Sequence, residues 1–194
     1  MQETSQLIRG LSDASLGQRS QAASAIFERG MELARRATEE WMADGDLSKE
    51  FVRDASGFAH TTVGIATNPE NFARIRIANG SPRLAEVPPD QDAAEFELTF
   101  PGNIRLDILT TKDPSGLGAI ARYLNKLGEG IQQIELMVRN IDRATEALGV
   151  KFGISPIYAK SRAGADGTRV NFFLVPASDE KKVLIELVES KLRK

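Results

Sequence analysis

The chain contains no cysteine and one histidine, His60. The first absence rules out disulfides, thiolate metal sites and cysteine nucleophiles, without fixing a compartment. No apolar stretch approaches the roughly 20 residues that cross a bilayer. The opening Met1-Gln2-Glu3-Thr4-Ser5 has neither a basic nor an apolar segment, so no signal peptide is expected and the cytoplasm is the default location. Charge of one sign is also missing. Lys and Arg number 25 and Asp and Glu 27, for a net charge of −2, which argues against nucleic-acid and membrane partners. Lys191, Arg193 and Lys194 read as a solvated basic end. What is present is ordinary globular composition, 41% hydrophobic and 27% charged over 194 residues. That suits one domain with an appendage, or two small domains.

Residues 1–56 read as helical. Between Ser15 and Asp44 helix formers dominate, and Ile26, Phe27, Met31, Ala34, Ala37, Trp41 and Met42 recur at helical spacing, giving one apolar face with Thr38 as its polar member. Gly45 is a stop, and a third helix is expected from Leu47 to Ala55. Such an extension cannot bury its face alone. It must pack on the following domain or on a partner chain, and a homodimer is expected.

After Gly57 the period changes to two. Strands are expected at Thr61–Thr67, Arg83–Val87, Ala93–Phe100 and Ile104–Thr110, with Pro101-Gly102-Asn103 turning between the last two. The stretch after Pro69 fits a short helix, while Phe72–Ile77 also alternates as a strand would. Asp113-Pro114 is expected to open a helix that runs to Leu127 and closes at Gly128. Further strands are expected at Ile131–Val138, Lys151–Tyr158, Thr168–Val175 and Val183–Glu189, with a short helix at Asp142–Leu148 and a polar loop at Ser161–Gly167. The order repeats. Val63-Gly64-Ile65-Ala66-Thr67 answers to Ile134-Glu135-Leu136-Met137-Val138, and Leu106-Asp107-Ile108-Leu109 to Ile185-Glu186-Leu187-Val188. Each half reads strand, helix, three strands, which points to a twofold-like arrangement with a cleft.

Alternate strand residues face opposite ways. Thr62, Asp107, Gln133 and Glu186 each lie opposite an apolar stripe, as do Glu95 and Glu97. Periodicity alone fits sheets with one wet face. The other reading is a shared cleft lined by the polar faces. Glu186 favours it, because a carboxylate flanked by Val183-Leu184-Ile185 and Leu187-Val188 needs a partner, water or a cation.

Several segments in this order resemble the vicinal oxygen chelate (glyoxalase/bleomycin-resistance) superfamily, and within it the methylmalonyl-CoA epimerase family. They are Val63-Gly64-Ile65-Ala66, Val87-Pro88-Pro89-Asp90-Gln91, Asp113 to Leu127, Gly128-Glu129-Gly130-Ile131-Gln132-Gln133-Ile134, Gly164 to Phe172, and Val183 to Val188. The resemblance runs from about Phe58 to Glu189. It implies an α+β fold, with tandem βαβββ modules of the glyoxalase-like type (about 58–112 and 129–190) linked by a helix at 113–127. Together they make a domain at 57–194, preceded by the helical extension of 1–56. It implies metal-ligand positions at Thr62, Asp107, Gln133 and Glu186, and catalytic carboxylates at Glu95 and Glu186. The family has histidine where Thr62 and Gln133 stand, and a hydroxyl and a neutral amide are poorer ligands for transition metals. His60, two residues before Thr62, is the one available imidazole. A His-Pro-Lys segment of the family is altered to Val175-Pro176-Ala177.

Two functions follow as expectations. One is a protein with a degenerate metal site that binds a small molecule or acyl-CoA-type ligand in the cleft between modules. The other is an epimerase-like isomerase with Glu95 and Glu186 as its acid/base pair. The cofactor is either none or a divalent metal, Co, Mg, Mn or Zn.

Overall fold

The structure is a computed structural model that describes residues 2–54, 57–177 and 182–189. Ala55 and the basic end at Lys191, Arg193 and Lys194 lie outside the described residues. The chain forms two compact units, one of Met1–Gly30 with Thr62–Gln132, the other of Met31–Thr61 with Gln133–Lys194. The expected helical extension is present as α1 (Gln2–Gly10), α2 (Leu16–Ala43) and α3 (Leu47–Glu50).

The first unit is built on β1 (Thr61–Ala66), α4 (Pro69–Ala78), β2 (Ala94–Phe100), β3 (Ile104–Thr110) and α5 (Ala119–Leu127). β3 pairs antiparallel with β2 and parallel with β1. Register puts Ile65, Ile108 and Phe96 side by side on one face. Phe72 and Ile75 of α4 are buried too, with the Phe72 ring edge-on to Phe96 at 4.8 Å. The helix prevails over the strand alternative for residues 72–77 because Asn68 caps it, accepting from Asn71 N at 2.8 Å, and Pro69 fits its first turn. Ile77, which a strand would bury beside Ile75, is 71% exposed.

Two expectations fail here. Residues 83–87 form no strand. Pro82, Pro88 and Pro89 bracket the segment, and among the described bonds it keeps one backbone bond to β2, Ala85 N to Glu95 O at 3.0 Å. The helix expected from Asp113 begins only at Ala119. Asp113 instead closes a turn, accepting from Ser115 N on its side chain and from Gly116 N on its carbonyl, both at 3.0 Å. Two glycines in the next turn disfavour helix, and a side chain at Gly118 would sit 2.9 Å from Asp92 Oδ2. Leu117 is therefore exposed.

α1, the turn after it and the start of α2 bury Ile8, Leu11, Ala22, Ala23 and Ile26. Asn79, at the end of α4, secures their connection. Its Nδ2 donates to Leu11 O at 2.9 Å and Ile75 O at 2.8 Å, while its Oδ1 accepts from Arg19 Nε at 3.1 Å.

The second unit holds β4 (Gly130–Met137) from Gln133 onward, α6 (Ile141–Phe152), β5 (Arg162–Ala163), β6 (Arg169–Pro176) and β7 (Lys182–Glu189). β4 runs parallel to β7, which pairs antiparallel with β6, and β6 with β5. Ile134, Leu136, Ile185, Leu187 and Phe173 are buried, as are Ile141, Ala144 and Leu148 of α6. Asn140 caps α6, and Gly153 ends it in the left-handed region at φ 65°. This helix overruns the start of the strand expected at Lys151–Tyr158, and Ile157 N donates to Phe172 O at 2.7 Å as a ladder-like bond. The loop expected at 161–167 contains β5 and a 3₁₀ turn at Ala165–Gly167.

α3 stops at Glu50, short of the expected Ala55, because Phe51 turns extended and bridges to Val138. Val52 N then donates to Met137 O at 2.9 Å. Ala34, Ala37 and Trp41 of α2 are buried in this unit, with Trp41 stacked on Phe51 at 6.4 Å. Of the expected apolar face of α2, Ile26, Ala34, Ala37 and Trp41 are thus buried within the chain itself, while Phe27, Met31 and Met42 are half-buried. Lys151 ties α6 to the α2–α3 connection through Asp44 at 2.8 Å and Asp46 at 3.0 Å.

Asn79→Ala removes three bonds at once and is expected to cost about 1–3 kcal/mol, read as a lower urea midpoint. Lys151 generates a pH signature. Asp44 is held below the usual carboxylate range by the Leu47 N–H and then by Lys151, Asp46 by Lys151 and then Lys49, and Lys151 is raised by the two aspartates. The aspartate contribution is therefore present above the ordinary carboxylate pKa and is lost as pH falls through the lowered values; the lysine contribution persists below its ordinary pKa and is lost as pH rises past the raised one. Lys151→Met should lower the melting temperature at pH 7, with the difference from wild type closing as pH falls through the lowered carboxylate values.

Candidate functional site

In the first unit the polar face follows from register. Gly64, Asp107 and Glu97 are successive Cα partners across β1, β3 and β2, and Ala66, Leu109 and Glu95 form the next row. Thr62 lies two residues before Gly64 and so on the same face, about 7 Å along the strand. Thr62 and Asp107 are both buried, Glu95 is half-buried and Glu97 exposed. The structure thus places Thr62, Asp107 and Glu95 on one face of one unit.

Past Glu95 that face becomes apolar. Ala66, Ala93, Leu109 and Ile120 pack as a cluster with Val87, Tyr123 and Leu124 against it, so α5 covers this end. Tyr123 is anchored by donating its hydroxyl to Ile131 O at 2.7 Å, and burial pushes its phenol up to about 12. Asp92 organises the loop leading to α5. It accepts from Thr111 Oγ1 at 2.6 Å, Lys112 N at 3.1 Å and Asp113 N at 3.2 Å. Reading by strand periodicity passes over Asp92 and Tyr123, since neither lies on a strand. The Asp92–Gly118 approach that demands a glycine is visible only in three dimensions.

In the second unit Glu135, Glu186 and Phe172 are successive Cα partners across β4, β7 and β6. Gln133 precedes Glu135 by two and shares its face. Gln133 and Glu186 are buried, at 6% and 8% exposure. The Gln133 amide Nε2 donates to Glu186 Oε2 at 2.5 Å and to Glu135 Oε1 at 3.1 Å. Beside them the Tyr158 ring meets Phe172 edge-on at 6.0 Å, and the Arg162 guanidinium carbon lies 4.6 Å from the Tyr158 centroid. Val175 and Ala177, which stand in the altered His-Pro-Lys segment, are core residues.

His60 precedes β1. Its backbone N–H donates to Val52 O at 2.7 Å and its carbonyl accepts from Met137 N at 3.0 Å. Among the described residues no three His, Cys, Asp or Glu side chains form a metal-binding group. At Glu186 the neighbouring amide presents N–H donors, which suit an anion and repel a cation. The donor set here does not fit a transition-metal centre.

A strand, a crossover helix and antiparallel strands returning to pair parallel with the first, twice over, define the class as the glyoxalase-like, vicinal oxygen chelate fold. Solved structures agree. Methylmalonyl-CoA epimerase from Mycobacterium tuberculosis is 32% identical, matching 67% of this chain and 86% of that one with a TM-score of 0.54. A variant of the Streptomyces coelicolor methylmalonyl-CoA epimerase, in complex with 2-nitronate-propionyl-CoA, is 25% identical over 66% of this chain and 94% of that one, TM-score 0.52. A hypothetical protein from Bacillus halodurans shares the fold at 24% identity, over 69% and 94% of the two chains, TM-score 0.55. No protein-family profile and no curated protein sequence matches the chain. The chain belongs to the methylmalonyl-CoA epimerase family. Among the described residues no helix is long and apolar enough to cross a membrane.

Tyr123→Phe is expected to cost about 1 kcal/mol, the net worth of one hydrogen bond. With the folded phenol near 12 and the unfolded one near 10, the wild type loses stability as pH rises between those values. The loss is about 1–2 kcal/mol after allowing for partial exposure. Urea melts at pH 9 and pH 11.5 should therefore show the wild type and Tyr123→Phe converging at the higher pH.

Proposed function

We propose that this protein binds an acyl-CoA-type thioester and that Glu95 and Glu186 are the carboxylates facing it. The observation that carries the reading is the buried Glu186 carboxylate held by the Gln133 amide on the polar face of the second unit. A carboxylate kept in so apolar a strand, with its own donor, is not expected of a merely wet sheet face. Kinship supports the ligand class, since the Streptomyces coelicolor relative is seen with a nitronate analogue of an acyl-CoA. Thr62, Asp107 and Gln133 complete the set of polar residues proposed to contact or position the ligand, and no metal-dependent step is proposed.

A second reading is epimerisation at the carbon between a thioester and a carboxylate. The 32% identity to an epimerase over 86% of its length favours it. One carboxylate would take the C2 proton, leaving an enolate, and a protonated carboxyl would return a proton to the opposite face. The enolate oxygen would require hydrogen-bond donors.

One experiment separates the readings: calorimetric binding of methylmalonyl-CoA, paired with NMR of deuterium exchange at its C2 in D₂O. Binding with exchange that Glu95→Gln and Glu186→Gln each reduce by at least about 100-fold, within the usual worth of acid–base catalysis, supports the epimerase. Saturable binding without exchange supports the binder alone. No binding of methylmalonyl-CoA or propionyl-CoA by folded protein would overturn both.

A further inference from the structure

We propose that the side-chain amide of Gln133 takes the place of a cation at Glu186, as a built-in donor that positions two carboxylates. The inference deepens the reading above and rests on its family assignment, but not on which ligand binds. Glu135 and Glu186 are Cα partners on the parallel pair β4 and β7. Their side chains therefore leave neighbouring strands on the same face, directly across from each other. Like charges so placed repel, and at 8% exposure Glu186 cannot rely on bulk water to moderate the repulsion.

Gln133 answers this geometry. It lies one pleat before Glu135, on the same face, and its Nε2 reaches Glu186 Oε2 at 2.5 Å and Glu135 Oε1 at 3.1 Å. An amide nitrogen carries two hydrogens, one for each carboxylate. The opposite rotamer would turn the amide oxygen toward two acceptors, so chemistry dictates the orientation. A cation seated on the same Glu186 oxygen would meet those N–H groups head-on. Donor and cation are alternatives, and the residue that stands here selects the donor. An imidazole at the same position would instead offer a lone pair beside two carboxylates, a donor set that transition metals accept. Gln133 is thus a positioning residue, acting through Glu186 and Glu135.

The test uses the full chain and Co²⁺ alone. Equilibrium dialysis and visible absorption should show no stoichiometric uptake by the wild type. Gln133→His should gain about one Co²⁺ per chain with a ligand-field band, and Gln133→His combined with Glu186→Gln should lose both. In ¹H–¹⁵N spectra of the wild type, the side-chain amide pair that disappears in Gln133→Met should shift in Glu186→Gln, a response that a purely space-filling role would not produce. Stoichiometric wild-type uptake abolished by Glu186→Gln would overturn the proposal. So would a folded Gln133→His that takes up nothing, or an amide pair indifferent to Glu186→Gln. If Gln133→His does not fold, wild-type uptake and the amide shift still decide. None of these readouts involves acyl-CoA, so failure here is distinct from failure of the functional reading.

Discussion

Parallel strands cannot be joined by a tight turn, and each unit is organised around one parallel pair, β1 with β3 and β4 with β7. The crossover that pairing requires supplies a helix in each case, α4 and α6, and each helix buries apolar side chains: Phe72 and Ile75 in the first, Ile141, Ala144 and Leu148 in the second. Once one face of the sheet is committed to apolar packing, period-two geometry sends the alternate residues to the other face. Asp107 and Glu97 in one unit, and Glu135 and Glu186 in the other, are where they are because Ile108, Phe96, Leu136 and Ile185 had to be buried. A one-residue slip in either pair would place carboxylates in the core, so the candidate site and the core are set by the same register.

The two units resolve their polar faces differently. In the first, the face is closed at one end by α5, with Tyr123 and Leu124 over Leu109 and Ala66, and Glu95 stands at the border between this apolar cover and the acidic row. In the second, the polar groups engage one another, with Gln133 bridging Glu135 and Glu186.

Strand-rich stretches were the most legible. Residues 104–110 alternate and 183–188 are an apolar run broken by Glu186, and β3 and β7 match the expected strands closely. Context overrode the local pattern elsewhere. Residues 72–77 alternate yet are helical, because Asn68 and Pro69 start a helix just before them. The 113–118 segment has a helix-opening signature but contains Gly116 and Gly118, and Asp92, some twenty residues earlier, takes up the backbone N–H groups of Lys112 and Asp113. Residues 83–87 have strand-forming alternation but too much neighbouring proline to donate a ladder. The N-terminal helices were readable as amphipathic, while their partners were not: Asn79 holding the α1–α2 connection and Lys151 holding the α2–α3 connection are contacts of high sequence separation.

By itself the sequence determined the period of the core strands, the repeated module and the identity of the polar residues opposite their apolar stripes, because these depend on residue spacing alone. It also determined that His60 is the one imidazole the chain can offer, since composition needs no fold. Only the tertiary structure decided which polar residues meet. That Gln133 lies against Glu186, fifty-three residues away, and not merely beside Glu135, is a consequence of parallel register between β4 and β7. That the amide turns its nitrogen toward both carboxylates is a consequence of their adjacency. Such choices arise from pairing between distant segments, where the energy of a side chain depends on neighbours that its own stretch of sequence does not contain.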